Sequence, residues 1–362
     1  MADRMLDKIQ GSLIAGAAGD ALGNGGMVSA NTRMTIATAG GLLRGDARLK
    51  QRGFGGPSPR TLYEAYKECC PPEDDAFAVL ASGDYGSVFE PINDSRGCGG
   101  VVRAAPVGLF AAHLPTHSIV MLAAESAAIT HGHPLAYMPA AVLAELVRFG
   151  LYTDGISVRN CAEMVMSAVK ETFGRNEYWP SFEQRMARAM VLARNEDADE
   201  VNAAKLGSGE FADEVLALAL YFVLRHESDD DAIANTLTAA AAHGAAVASL
   251  AGNILGAYHG LSAVPESLTE GLELRDKLLE IGADLYMGCQ GQVSEKYARK
   301  SGCLTYRLNT LREGEPVCRS PHPPRSGPPS PQGATAGAVL TSSTAKETLI
   351  NSKERQISRL KL

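Results

Sequence analysis

Along the first fifty positions the apolar residues fall at helical spacing. Leu6, Ile9, Leu13 and Ile14 line one helix face, and Met34, Ala37 and Leu42 repeat the pattern. Leu216, Leu218, Leu220, Phe222 and Val223 do the same much later. Extended along the chain, this spacing predicts further helices over 61–70, 76–83, 100–112, 117–130, 135–150, 157–173, 181–195, 209–225, 230–243, 245–258 and 270–285. Strict alternation of β-branched residues is scarce, so strands are not expected. Connections are short and carry Gly, Pro or Asp. Ser228, followed by Asp229, Asp230 and Asp231, predicts an N-cap with negative charge at the positive end of a helix. Small residues fill whole stretches: Gly11, Ala15, Gly16, Ala17, Ala18 and Gly19 early, and Ala239 to Ala248 late. Small side chains let helix axes approach closely. The expected fold is all-α, a compact single-domain helical globule.

Composition changes the picture in two places. Of 362 residues, 45% are apolar and 21% charged, which allows a sizeable core. The net charge of −7 is uneven. From Cys303 to Leu362 there are nine basic and four acidic residues, leaving 25 basic and 37 acidic residues in the remainder. A body that acidic lacks the basic face nucleic acid requires. Seven prolines fall between Pro316 and Pro331, in a region too poor in apolar residues to offset the cost of ordering. The chain is therefore divided into a helical domain over 1–300 and a disordered Pro/Ser/Gly-rich tail over 301–362. No apolar run reaches the ~20 residues of a membrane span, and the first residues lack the pattern of a signal peptide. Seven cysteines without C-x-x-C spacing suit a reducing cytoplasm.

The candidate chemistry lies in five segments. Gly11 opens a run through Gly16 and Gly19 to Asp20-Ala21-Leu22-Gly23, and Met34-Thr35-Ile36-Ala37-Thr38-Ala39 follows. Next come Pro91-Ile92-Asn93-Asp94-Ser95-Arg96-Gly97-Cys98-Gly99-Gly100 and Thr130-His131-Gly132-His133-Pro134. The fifth is Ala251-Gly252-Asn253-Ile254-Leu255-Gly256-Ala257-Tyr258-His259-Gly260-Leu261. In this order the segments resemble the ADP-ribosylglycohydrolase family. The resemblance implies a mainly helical domain that hydrolyses the glycosidic bond between ADP-ribose and a protein side chain. It also implies two divalent cations, usually magnesium, held by carboxylates and hydroxyls and activating a water. ADP-ribose or an ADP-ribosylated protein is the implied partner; neither nucleic acid nor membrane is expected.

The acidic motifs that hold those ions in the family are altered here. Where Thr/Ser-Asp-Asp-Thr is expected, the chain reads Ser29-Ala30-Asn31-Thr32, and Arg33 follows. Where an Asp-x-Asp motif is expected between a His-Gly and an Ala-Gly-Asn, it reads His243-Gly244-Ala245-Ala246-Val247-Ala248-Ser249-Leu250, with no carboxylate from Ala234 to Pro265. Only Asn24 to Val28 separate Gly23 from Ser29, where the family carries a longer, acidic loop. Ser29, Asn31 and Thr32 remain as degenerate metal positions, so magnesium is expected to be lost or weakly held. Ser95, Gly97, Cys98, Gly99 and His131 are the expected substrate contacts, with loop N–H groups offered to a pyrophosphate. Asp20 reads as a structural carboxylate, with a supporting place behind the metal ligands as the alternative; His131 and His133 either border the adenosine or cap a helix; and Arg103 reads as bound to internal carbonyls or a carboxylate rather than to phosphate. The expected outcome is an impaired or inactive ADP-ribose-binding protein. Two alternatives stand beside it: a hydrolase with a rearranged single-ion site built from Glu73, Asp74, Asp75 or Asp20, and a structural family member.

Overall fold

Two helices rich in glycine organise the molecule. A computed structural model describes residues 2–69, 80, 83–110, 114–292 and 295–298. The tail expected over 301–362, the helix expected over 76–83 and the acidic run Glu73-Asp74-Asp75 lie outside these, apart from Leu80 and Gly83. Among the described residues there are thirteen α-helices and no strand. They are α1 (Ala2–Gly23), α2 (Ala30–Arg52), α3 (Pro59–Cys69), α4 (Ala105–Phe110), α5 (Thr116–Ala128), α6 (Pro134–Tyr152) and α7 (Val158–Phe173). Then follow α8 (Trp179–Leu192), α9 (Asp199–Ala204), α10 (Ala212–His226), α11 (Ala232–Ala241), α12 (Ala245–His259) and α13 (Arg275–Cys289).

The core sits around α12. Every residue of α12 from Val247 to Tyr258 is buried, as a helix apolar around its whole circumference must be. It packs on α1, α6, α10 and α11. The contact with α1 is backbone to backbone. A Cβ on Gly252 would lie 2.1 Å from the Ala15 carbonyl oxygen, and one on Gly256 would lie 2.1 Å from the Gly11 carbonyl oxygen. From the other side, a Cβ on Gly19 would lie 2.3 Å from the Ala248 oxygen, and one on Gly23 2.5 Å from Ala245 Cα. Backbone therefore rests on backbone over most of α1. Two buried polar residues lock the register. Ser12 Oγ donates to the Asn253 carbonyl at 2.8 Å, and Asn253 Nδ2 donates to the Ser12 carbonyl at 2.8 Å.

Helix α6 is long and apolar enough to cross a membrane by length and composition alone, yet 83% of that window is buried inside the domain. Its Glu145 is fully buried and accepts two hydrogen bonds from Arg148, at 3.0 and 2.7 Å. Lys8 on α1 is buried as well. Its ammonium donates to the Gly150 carbonyl at 2.8 Å and pairs with Asp154 at 2.8 Å, fixing α1 to the end of α6.

Several expected boundaries are corrected. The helix expected over 100–112 is a 3-10 turn, Val101–Arg103, followed by α4, whose second residue, Pro106, needs no intrahelical N–H partner. Ser228 is not the N-cap of the next helix. That helix begins at Ala232 with Asp231 in the cap position and no side-chain cap bond. Asp229 instead accepts from His226 and from Asn235, each at 2.9 Å. The helix expected from 270 begins at Arg275, because Leu274 adopts a left-handed conformation (φ 63°) just ahead of it. Helix α9 was not expected at all.

The α1–α12 contact predicts a sharp contrast between two Gly→Ala variants. Gly252→Ala should cost about 2–3 kcal/mol, because backbone rather than a mobile side chain must yield. Gly56→Ala, whose Cβ would meet nothing nearer than Leu49 Cδ2 at 3.4 Å, should stay within ~0.5 kcal/mol. Urea unfolding midpoints of the two variants measure the difference; similar midpoints would refute the packing argument.

Candidate functional site

The close packing of α1 fixes where its last turn points. Asp20 follows Gly19 directly, and its side chain is fully buried between α1 and the start of α2. Five donors converge on that carboxylate. Oδ1 accepts from Ser29 Oγ at 2.7 Å and from Asn31 Nδ2 at 3.0 Å. Oδ2 accepts from the Ser29 N–H at 2.8 Å, the Thr32 N–H at 3.3 Å and Thr32 Oγ1 at 2.6 Å. Ser29 Oγ also accepts the Asn31 N–H at 3.1 Å as N-cap of α2. Ser29, Asn31 and Thr32 thus face a carboxylate, with their donors already engaged. Arg33, next along, turns away and pairs with Glu273 at 3.1 Å. On the α12 side, Ser249 is buried. Among the described residues no group of three or more His, Cys, Asp or Glu is arranged to hold a metal ion.

A second wall is the loop from Asn93 to Gly100. Asn93 staples it: Oδ1 accepts the Ser95 N–H at 3.1 Å and the Gly132 N–H at 3.0 Å, while Nδ2 donates to the Thr130 carbonyl at 2.9 Å. Asn is suited to this because its side chain closes a turn with the backbone two residues on. The loop thus lies against His131. A Cβ on Gly99 would sit 2.9 Å from His131 Cε1, and one on Gly97 3.3 Å from His131 Nε2. Any side chain at Gly99 would collide with that ring. The Gly97 N–H is taken by Ser95 Oγ at 3.4 Å. The thiol of Cys98 is pushed up from its ordinary range by burial, with the Glu210 carboxylate adding to it, so Cys98 stays a thiol at neutral pH.

His131 is half-buried and neutral. Burial, reinforced by the nearby Arg103 charge, pushes its pKa down to about 3. Arg103 donates to Thr130 Oγ1 at 2.7 Å, and the Thr130 hydroxyl shares a hydrogen bond with His131 Nδ1 at 2.7 Å. The other ring nitrogen, Nε2, lies beside Gly97 and Gly99. Arg103 itself is fully buried, donates also to the Ser126 carbonyl at 2.9 Å, and stacks on Tyr66 at 4.1 Å. Thr35 on α2 ties the first wall to the second by donating to the Val102 carbonyl at 3.1 Å.

The rim is built from the start of α10. The Ala212 N–H donates to the Arg96 carbonyl at 3.0 Å, and Gly97 bridges to Phe211. The Arg96 guanidinium stacks on Phe211 at 4.5 Å and pairs with the buried Asp213 at 3.4 Å. Arg185 holds Asp213 from the other side at 2.9 Å. Gly209 brings this segment against the His243 carbonyl: a Cβ there would lie 3.2 Å away. His133 caps α6, accepting the Leu135 N–H on Nδ1 at 3.0 Å, and packs against Tyr178 at 4.5 Å.

The residues expected to line one site fall into two groups. Ser95, Gly97, Cys98, Gly99 and His131 form one wall. Ser29, Asn31 and Thr32 form the other, gathered around Asp20. Sequence reasoning missed Asn93 and Thr130 as organisers and the Arg96–Asp213–Arg185 rim. The Asn93-x-Ser95 spacing carried a turn signal; the ion pairs carried none, because their members lie more than a hundred residues apart in Arg96 and Asp213.

Comparison with known proteins bears on the family and the fold. A sequence model of the ADP-ribosylglycohydrolase family matches residues 1–295. A solved structure titled as an ADP-ribosylglycohydrolase-related protein complex superposes with a TM-score of 0.57 at 22% identity, covering 79% of this chain and 99% of that one. At that identity the likeness concerns the fold.

The depressed pKa of His131 predicts an acid dependence with a defined sign. The unfolded chain binds a proton at this histidine near pH 6.5, and the native one only near pH 3. Between those values the unfolded state holds more protons, so native stability falls as pH is lowered through that window. His131→Gln, which keeps a side-chain donor and cannot titrate, should flatten the decline of the melting temperature from pH 6.5 to pH 4. An unchanged slope would show that His131 is protonated in the native state.

Proposed function

The chain belongs to the ADP-ribosylglycohydrolase family, and we propose that it binds ADP-ribose, free or attached to a protein, without magnesium-assisted hydrolysis. The observation that carries this reading is the commitment of Asp20. A pair of divalent ions needs several oxygen ligands of negative charge to offset ion–ion repulsion and replace lost water. The Ser29–Thr32 wall supplies one carboxylate, whose two oxygens already accept five hydrogen bonds. The α12 wall supplies none between Ala234 and Pro265. Among the described residues this set does not fit two ions, and no step of a metal-dependent reaction is assigned to it.

The ligand-binding half of the site retains its parts. Gly97 and Gly99 let the loop backbone lie directly against the His131 ring, and the neutral imidazole places a polar group beside that loop for a pyrophosphate to meet. Burial of Cys98 as a thiol keeps negative charge off the loop. Family membership supplies the ligand class; the geometry supports a reader of that ligand rather than a catalyst of its removal.

Calorimetric titration with ADP-ribose tests the proposal. Binding should have the same affinity, within about twofold, in EDTA and in millimolar MgCl2, since a ligand binding independently of the ion shows no linkage to it. Gly99→Val should weaken it at least tenfold, by steric conflict with His131. Release of ADP-ribose from ADP-ribosyl-arginine or ADP-ribosyl-serine peptides should not exceed background. Turnover abolished by EDTA would overturn the proposal in favour of a rearranged single-ion hydrolase. Failure to bind any adenine nucleotide would favour a structural role.

A further inference from the structure

The Asp20 cluster is more than a site with ligands missing. Asp20 lies in the last turn of α1, where the helix dipole is negative and a carboxylate is disfavoured. Its Oδ2 accepts the Ser29 and Thr32 N–H groups, which belong to the N-terminus of α2, where the dipole is positive. Asp20 therefore caps a helix other than its own, while Ser29 caps the same helix locally through the Asn31 N–H. Two hydroxyls and an amide complete its hydrogen-bond shell. Carboxylates bound by several donors need no counter-ion, because the donors stabilise the charged form directly.

Asn31 is the decisive member. Its Nδ2 sits 3.0 Å from Asp20 Oδ1, beside the Ser29 hydroxyl that reaches the same oxygen at 2.7 Å. The amide must present nitrogen rather than oxygen there, since two facing oxygens would repel. An N–H thus occupies the position in which a cation would otherwise neutralise that oxygen. We propose that Asn31, with Ser29 and Thr32, makes Asp20 the centre of a metal-free clasp joining α1 to α2, and that Asn31 is the residue that excludes a divalent ion from it. This deepens the reading above, and it is tested without nucleotide or substrate, so the two stand or fall separately.

Thermal unfolding of the full chain in EDTA and in millimolar MgCl2 or MnCl2 reads it out. The wild type should melt within about 1 °C in all three conditions. Asn31→Asp places a second carboxylate against Asp20; its melting temperature should fall by ~3–6 °C in EDTA and recover at least half of that with Mn²⁺. Asn31→Ala removes the donor without adding a ligand, so it should lose a few degrees that no metal restores. Should Asn31→Asp not fold in EDTA, purification in Mn²⁺ followed by chelation reads the same recovery. A wild-type melting temperature raised by more than ~3 °C by Mg²⁺ or Mn²⁺ would overturn the proposal. So would rescue of Asn31→Ala by either ion, or indifference of Asn31→Asp to both.

Discussion

Contact between the backbones of α1 and α12 is the constraint from which the rest follows. Helices normally stand 8–10 Å apart because side chains separate them. Here glycine at alternating places on both helices removes that spacer, and carbonyl oxygens of one helix lie where the Cβ atoms of the other would be. Such an interface has no slack. Rotation or sliding of α1 would drive Gly11, Gly16 or Gly19 into α12, and the reciprocal Ser12–Asn253 hydrogen bonds would break with it. The last turn of α1 is therefore held in one position, and Asp20 with it.

That rigidity explains how a carboxylate is kept fully buried in a domain with so little charge around it. Burying an ionised group without partners costs several kcal/mol. Asp20 avoids the cost because α2 begins against it, and the short Asn24–Val28 connection leaves α2 little freedom to begin elsewhere. Gly25 and Gly26, with φ of 68° and 91°, allow the reversal. The Asn24 and Gly26 N–H groups each donate to the Ala21 carbonyl, at 3.1 and 2.8 Å, closing the end of α1. The Asn24–Val28 connection is thus a tight turn between two helices, and the same turn brings the start of α2 onto Asp20.

The sequence disclosed the fold well and the site unevenly. Apolar spacing located twelve of the thirteen helices at least in part, because each buries a face large enough to impose a period. It failed at α9, whose six residues are too few to show one. It failed again at residues 100–112, where a 3-10 turn keeps the residues buried and so preserves the hydrophobic pattern while changing the backbone. Ser228 misled because capping chemistry marks a turn without saying which polar residue ends it; Asp229 found His226 and Asn235 instead. The glycine loop was legible as a motif. Its support by Asn93, Thr130 and Arg103 was not, since hydrogen bonding between distant segments leaves no periodic trace. The structural reading of Asp20 was open in the sequence, but not the identity of its donors. Ser29, Asn31 and Thr32 were read as degenerate metal positions; in the structure their donor groups are directed at the Asp20 carboxylate.

The charges near the site point to how an anionic ligand would be held. Four arginines lie close by, and each has a partner within the protein: Arg33 has Glu273, Arg96 has Asp213 and the Phe211 ring, Arg103 has Thr130, the Ser126 carbonyl and Tyr66, and Arg185 has Asp213 and Glu214. His131 is neutral across the physiological range. A pyrophosphate entering beside Gly97 and Gly99 would meet dipoles, not uncommitted cations. Dipolar N–H groups fixed by a rigid loop require no reorganisation when the ligand arrives, and they are screened by salt less than exposed charges are. They also offer much less attraction than two divalent ions. In the proposed metal-free reading, recognition of ADP-ribose would be left to shape and backbone donors, and selectivity would rest on the stapling of the loop by Asn93 and on the Arg103–Thr130–His131 chain beside it.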